Sequence, residues 1–68
     1  MQASEQYRAL PRVETLPTVN SFVVCNGFPG TVTRTRESGP DSTWLGNMVE
    51  VKLDRGLVCV DYHDLRYL

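Results

Sequence analysis

The chain has 68 residues, 41% hydrophobic and 22% charged, with a formal charge of −1. This is the composition of one globular domain with a thin core, since roughly 60% of the unfolded chain's surface is buried at this size against ~75% for a 300-residue domain. It excludes a transmembrane helix, because no apolar run approaches ~20 residues, and it makes a partner subunit a natural source of added stability.

Charge is unevenly spread. Residues 37–68 hold six acids (Glu37, Asp41, Glu50, Asp54, Asp61 and Asp64) against Lys52, Arg55 and Arg66, whereas residues 21–36 carry only Arg34 and Arg36. Affinity for a phosphate backbone comes from clustered Lys and Arg, and no such cluster is present. Nucleic acid is therefore a disfavoured partner, and Arg34 and Arg36 are the residues that would carry it. The first residues, Met1-Gln2-Ala3-Ser4-Glu5-Gln6, lack the basic and apolar regions of a signal peptide. A cytoplasmic protein with reduced thiols is expected. Cys25 and Cys59 stand in no Cys-x-x-Cys or other metal-spaced motif, so both read as small buried hydrophobes, with a disulfide between them left open as a geometric alternative.

Residues 1–19 differ from the rest. Pro11 and Pro17 interrupt any helix, and Tyr7, Leu10, Val13 and Leu16 recur every three residues, the repeat of a polyproline II helix. One reading is an extended arm with an apolar stripe, lying over its own domain or reaching a neighbouring subunit. A flexible tail and a short helix before Pro11 are the others.

The β pattern begins at Ser21. Ser21-Phe22-Val23-Val24-Cys25 is a strand with apolar residues on both faces, and Pro29 then Gly30 suits the centre of a type II turn. Thr31 to Arg36 is a second strand, rich in β-branched residues, with Val32, Arg34 and Arg36 on one face and threonines on the other. Core burial on that face holds at Val32 only, so the strand must twist or bulge outward beyond it. Glu37 to Asn47 reads as a long polar loop with Trp44 and Leu45 near its end.

The strongest pattern follows. From Met48 to Leu53 apolar and polar residues alternate with period two, and a second apolar strand ends at Tyr62. A two-residue turn at Arg55-Gly56, or a four-residue one from Asp54 to Leu57, pairs Leu53 with Val58, Val51 with Val60 and Val49 with Tyr62. A three-residue loop would set Lys52 opposite Val58 and spoil the pattern. In this register Glu50 faces Asp61, Lys52 faces Cys59 and Met48 faces His63, all outward. Asp64 is expected to cap a terminal helical or 3-10 turn, with Leu65 and Leu68 sealing the end of the fold.

The order of strand, Gly/Pro turn, Thr-Val strand, polar loop, hairpin and terminal turn resembles the SH3-like small β-barrels, including KOW and Tudor-type domains. The residues that carry it are Gly27 to Val32, Val49 to Gly56 and Asp64 to Leu68, so it covers about residues 20–68. The resemblance implies an all-β fold, a small antiparallel SH3-like barrel of about five strands with a short 3-10 turn at its C-terminus, over residues 20–68, preceded by the arm at 1–19. The Ala-Leu-Tyr-Asp-Tyr-like run of peptide-binding SH3 domains is absent. The type II plasmid dihydrofolate reductases are similar in size, but Val58-Cys59-Val60-Asp61-Tyr62 stands where they have a Val-Gln-Ile-Tyr run, so the substrate-binding amide is missing. The run Cys25 to Val32 is similar to the opening of small hydrogenase-maturation chaperones, whose cysteine is N-terminal, whereas 24 residues precede Cys25.

Two facing carboxylates with His63 on the same side form the one arrangement suited to a divalent metal, yet surface acids are common and no metal or cofactor is expected. Catalysis has little to build on, because no Cys–His pairing is oriented and no helix follows Gly27 and Gly30 to aim amides at a phosphate. The aromatics are the better lead. In SH3-like barrels loops of this kind converge on one edge, which implies a groove or cage of Phe28, Trp44, Tyr62 and Tyr67 flanked by Asp41, Asp61 or Asp64, able to take a peptide or a cation. Trp44 and Tyr62 read equally well as lids on the core. The expected function is a non-enzymatic module acting through protein–protein contact, as adaptor, accessory subunit or homo-oligomer. A KOW-type nucleic-acid-binding domain using Arg34 and Arg36 is the alternative, and an enzyme formed only at the axis of an oligomer is the third reading.

Overall fold

The computed structural model describes residues 9–68 and folds them into one antiparallel sheet. Its elements are β1 (Phe22–Cys25), β2 (Phe28–Arg34), a 3-10 turn (Pro40–Leu45), β3 (Met48–Leu53), β4 (Gly56–Asp61), a second 3-10 turn (Tyr62–Asp64) and β5 (Leu65–Tyr67). The strand order is β4-β3-β2-β1-β5. The all-β expectation, with about five strands, holds.

The first turn differs from expectation. Asn26 and Gly27 have φ of 52° and 86°, both left-handed, and Cys25 pairs with Phe28 across them. This is the two-residue hairpin turn whose twist matches the flanking strands, and Asn-Gly is its preferred sequence. Pro29 and Gly30 are consequently strand residues, and Phe28 moves from loop to strand. Pro29 is tolerated because the ladder between β2 and β3 begins only at Thr31 opposite Lys52. Gly30 has a different duty. A Cβ there would fall 2.6 Å from Leu53 Cδ2 and 2.7 Å from the Lys52 carbonyl oxygen, so only glycine lets β3 fold this closely over β2.

The bulge beyond Val32 is present. Val32 pairs with Val51 but Arg34 with Glu50, a register shift that leaves Thr33 unopposed. Val32 is fully buried, and the shift turns Thr35 inward to 3% exposure, so the threonines do not all face outward. The long connection after it is not irregular throughout. Ser38 Oγ donates to the Thr35 carbonyl at 2.6 Å and lies 3.2 Å from Ser42 Oγ, while the Glu37 N–H donates to Thr35 Oγ1. These bonds satisfy the buried hydroxyls and set up the 3-10 turn.

The second hairpin keeps its faces but changes register. Its turn is Asp54-Arg55, with pairs Leu53–Gly56, Val51–Val58 and Val49–Val60. Gly56 adopts φ 135°, which glycine tolerates readily, so β4 restarts one residue earlier than expected. Each residue's partner moves by two, an even slip that leaves Val49, Val51, Val58 and Val60 on the core face. The outward pairs are corrected accordingly: Glu50 faces Cys59, Lys52 faces Leu57 and Met48 faces Asp61.

β4 and β5 are the two outermost strands of the order, yet only Tyr62–Asp64 connects them. In a flat sheet the outermost of five strands would lie about 19 Å apart. A three-residue 3-10 turn spans only about 6 Å. The sheet is therefore strongly curled, and its edges approach one another at this corner. Asp61, not Asp64, caps the turn by accepting from the His63 N–H. Leu65 is fully buried while Leu68 is exposed, so of these two only Leu65 closes the core.

Inside the curl lie Val13, Val23, Val32, Val49, Val51 and Leu65, joined by Cys25 and Tyr62. Val13 comes from the segment before the sheet. Its N–H donates to the Leu65 carbonyl, the Tyr67 N–H donates to the Pro11 carbonyl, and Arg12 bridges Arg66, so residues 11–13 run along the open side of β5. Leu16 packs on the same core, while Tyr7 lies outside the described residues.

Candidate interaction surface

The expected aromatic groove is not assembled. Trp44 stands on the first 3-10 turn, which precedes β3, whereas Phe28 begins β2, whose first residue paired to β3, Thr31, lies opposite Lys52 near the far end of β3. The length of β3, six residues or about 17 Å, separates the two ends. Tyr62 sits at the Trp44 end, where its N–H donates to the Asn47 carbonyl, but its ring is in the core and only 8% of the residue is exposed. Its phenol therefore packs as a lid and offers no open face.

Trp44 is the opposite case at 65% exposure. Side chains three apart eclipse in a 3-10 helix. Ser42 and Leu45 take the buried side, which puts Asp41 and Trp44 together on the outer side. That face presents a carboxylate and an indole to solvent. Gly46, with φ 57°, ends the turn and returns the chain to β3.

Phe28 is half exposed at the other end, and the Arg55 guanidinium lies over its ring, 5.3 Å from the centroid. Leu57, which the sequence did not single out, joins Phe28, Pro29 and Leu53 around a shallow depression. A second depression adjoins it, bounded by Phe22, Pro29, Leu53 and Leu68. The Leu68 N–H donates to the Phe22 carbonyl, which holds these two exposed residues side by side. Phe22 was legible only as a residue alternating with buried Val23 on a strand apolar on both faces. Nothing in the sequence marks that its face is bare at Phe22 but covered at Val24.

Arg34 and Arg36 are both committed within the chain. Arg34 Nη1 pairs with Glu50 Oε2 at 3.4 Å, and Arg36 Nη1 donates to Asn47 Oδ1 at 3.2 Å. Asp61 Oδ1 accepts from the His63 backbone N–H at 2.9 Å and lies 2.8 Å from His63 Nδ1, and these bonds hold the carboxyl below the usual range. With Glu50 on Arg34 and Asp61 on His63, the facing carboxylates expected from the sequence do not form. No group of three or more His, Cys, Asp or Glu among the described residues is placed to hold a metal ion.

Both cysteines are free. Cys25 is buried, and burial, helped by the Asp64 charge, pushes its thiol pKa up. Cys59 is exposed on the outer face of β4, contrary to its expected burial. No helix among the described residues is long and apolar enough to cross a membrane. No protein-family model, no curated protein and no solved structure matches the chain.

Proposed function

We propose that this chain is a non-enzymatic interaction module with SH3-like barrel architecture, working through protein–protein contact. The supporting observation is the exposure of large apolar side chains: Phe22, Phe28, Trp44, Leu57 and Leu68 are each at least half exposed. Trp44 with Asp41 is one anchor, and Phe28 with its neighbours at the hairpin tips is the other. Aromatic residues of this kind carry most of the energy at interfaces. The SH3-like reading rests on the curled meander in which one 3-10 turn carries the chain from β4 to β5. A cytoplasmic setting fits the two free thiols.

The test is capture of partners by the tagged chain from host lysate, with and without nuclease, followed by mass spectrometry. One stoichiometric partner surviving nuclease is expected, and Trp44→Ala should reduce its recovery about tenfold while leaving the fold intact. Capture that vanishes with nuclease would replace this reading by nucleic-acid binding through Arg34 and Arg36. A Trp44→Ala chain that unfolds would show the indole to be structural.

A further inference from the structure

The two edges of the sheet are treated differently. β5 is shielded by residues 11–13, whereas no described residue pairs with the outer side of β4. β4 also lacks the usual protection of an edge. Gly56-Leu57-Val58-Cys59-Val60-Asp61 has no lysine, no proline, no bulge and no inward charge, and pairs with β3 in unbroken register.

We propose that β4 pairs antiparallel with β4 of a second copy, in a register centred on Val58. The backbone fixes which registers are allowed. The two-residue turn makes Leu53–Gly56 a hydrogen-bonded pair, and the Tyr62 N–H bond to the Asn47 carbonyl continues the same alternation. Leu57, Cys59 and Asp61 therefore point their N–H and C=O groups away from β3. Only registers that set these odd residues against one another can form bonds.

Side chains choose among them. Centring on Cys59 would put Leu57 against the partner's Asp61, and centring on Leu57 would put Cys59 against the partner's Arg55. Centring on Val58 opposes Leu57 to the partner's Cys59, Val58 to its own mate and Arg55 to the partner's Asp61. Apolar residues then meet apolar ones, and opposite charges meet at both ends of the ladder. Both of Asp61's bonds to His63 use Oδ1, which leaves Oδ2 for the arriving guanidinium. Val58 and Val60, only half-buried in one copy, gain cover on the core face.

The occupant is a second copy because the pattern is self-complementary about a two-fold axis. With β5 shielded, each copy offers one edge, so assembly closes at two and does not grow into a fibre. This inference deepens the interaction-module reading; it draws Leu57 and Arg55 from the Phe28 depression but leaves Trp44 untouched, so capture through Trp44 and self-pairing can fail separately.

Light scattering on the full chain should give twice the 7.7 kDa protomer mass. Cys59→Pro should halve it, since the N–H removed points away from β3, and circular dichroism checks that the variant is folded. Val58→Cys in a Cys59→Ser chain should form a covalent dimer on mild oxidation, because directly opposed non-hydrogen-bonded residues have Cα atoms about 4.5 Å apart. The unsubstituted chain should not, because its two Cys59 residues sit diagonally, about 7–8 Å apart. A chain that is monomeric at every concentration overturns the proposal. So does a dimer that persists in folded Cys59→Pro, or one that cross-links through Cys59 but not through residue 58. Retained partner capture in a monomeric chain would leave the module reading standing.

Discussion

Gly30 shows how a single missing side chain shapes this molecule. In sequence it belongs to a Gly-Phe-Pro-Gly cluster and looks like a turn residue. In the structure it is a strand residue opposite Val23, where Val51 and Leu53 of β3 occupy the space a Cβ would need. Gly30→Ala should therefore destabilise the fold by about 1–3 kcal/mol, the usual cost of overpacking. Gly39→Ala is the control, because a Cβ there meets nothing within 4 Å. Paired urea titrations decide it, and equal midpoints for the two variants would remove the close-approach role. Trp44 and Leu45 make a parallel point. They are adjacent and both apolar, yet one is 65% exposed and the other 2%. The three-residue period of their turn separates them, and that period is hard to see within one short polar stretch.

Among the elements, the second 3-10 turn is the hinge of the curl, and Asp61 is its cap. The carboxylate accepts from the His63 N–H, and its pKa lies below the ordinary value of 3.8. A lowered folded pKa contributes stability that is present above the unfolded value and is lost as pH falls through the folded one. Asp61→Ala should then lower the unfolding midpoint at neutral pH, with the gap from the parent chain closing below pH about 3.8. Thermal melts across that range test this. A gap of constant size down to low pH would mean the cap acts without its charge. The expectation of Asp64 as cap came from placing β4 too late by one residue, the same error that moved the hairpin register.

The whole molecule depends on its first residues more than their polar composition suggests. Val13 is 1% exposed in the core, and residues 11–13 shield β5. A chain lacking residues 1–13 should lose about 2 kcal/mol from that side chain alone. It should also expose a second sheet edge, so association should run past the dimer into larger species. Sedimentation and urea titration of the shortened chain measure both effects. An unchanged midpoint would show that the arm contributes nothing to the core.

The alternation of Val49, Val51, Val58 and Val60 determined the β class and the faces of the hairpin, because period two is a local property of the chain. The lone apolar residue of the second strand, Val32, likewise required a twist or a bulge beyond it, and the structure has the bulge. Register, exposure and edges were decided only by the tertiary structure. A slip of two residues preserves every face, so no local pattern separates the Asp54-Arg55 turn from Arg55-Gly56. Whether Tyr62 is core and Trp44 surface depends on what crosses over each of them. The bare edge of β4 follows from the strand order and from the arm's choice of β5, and both are contacts between residues far apart in sequence.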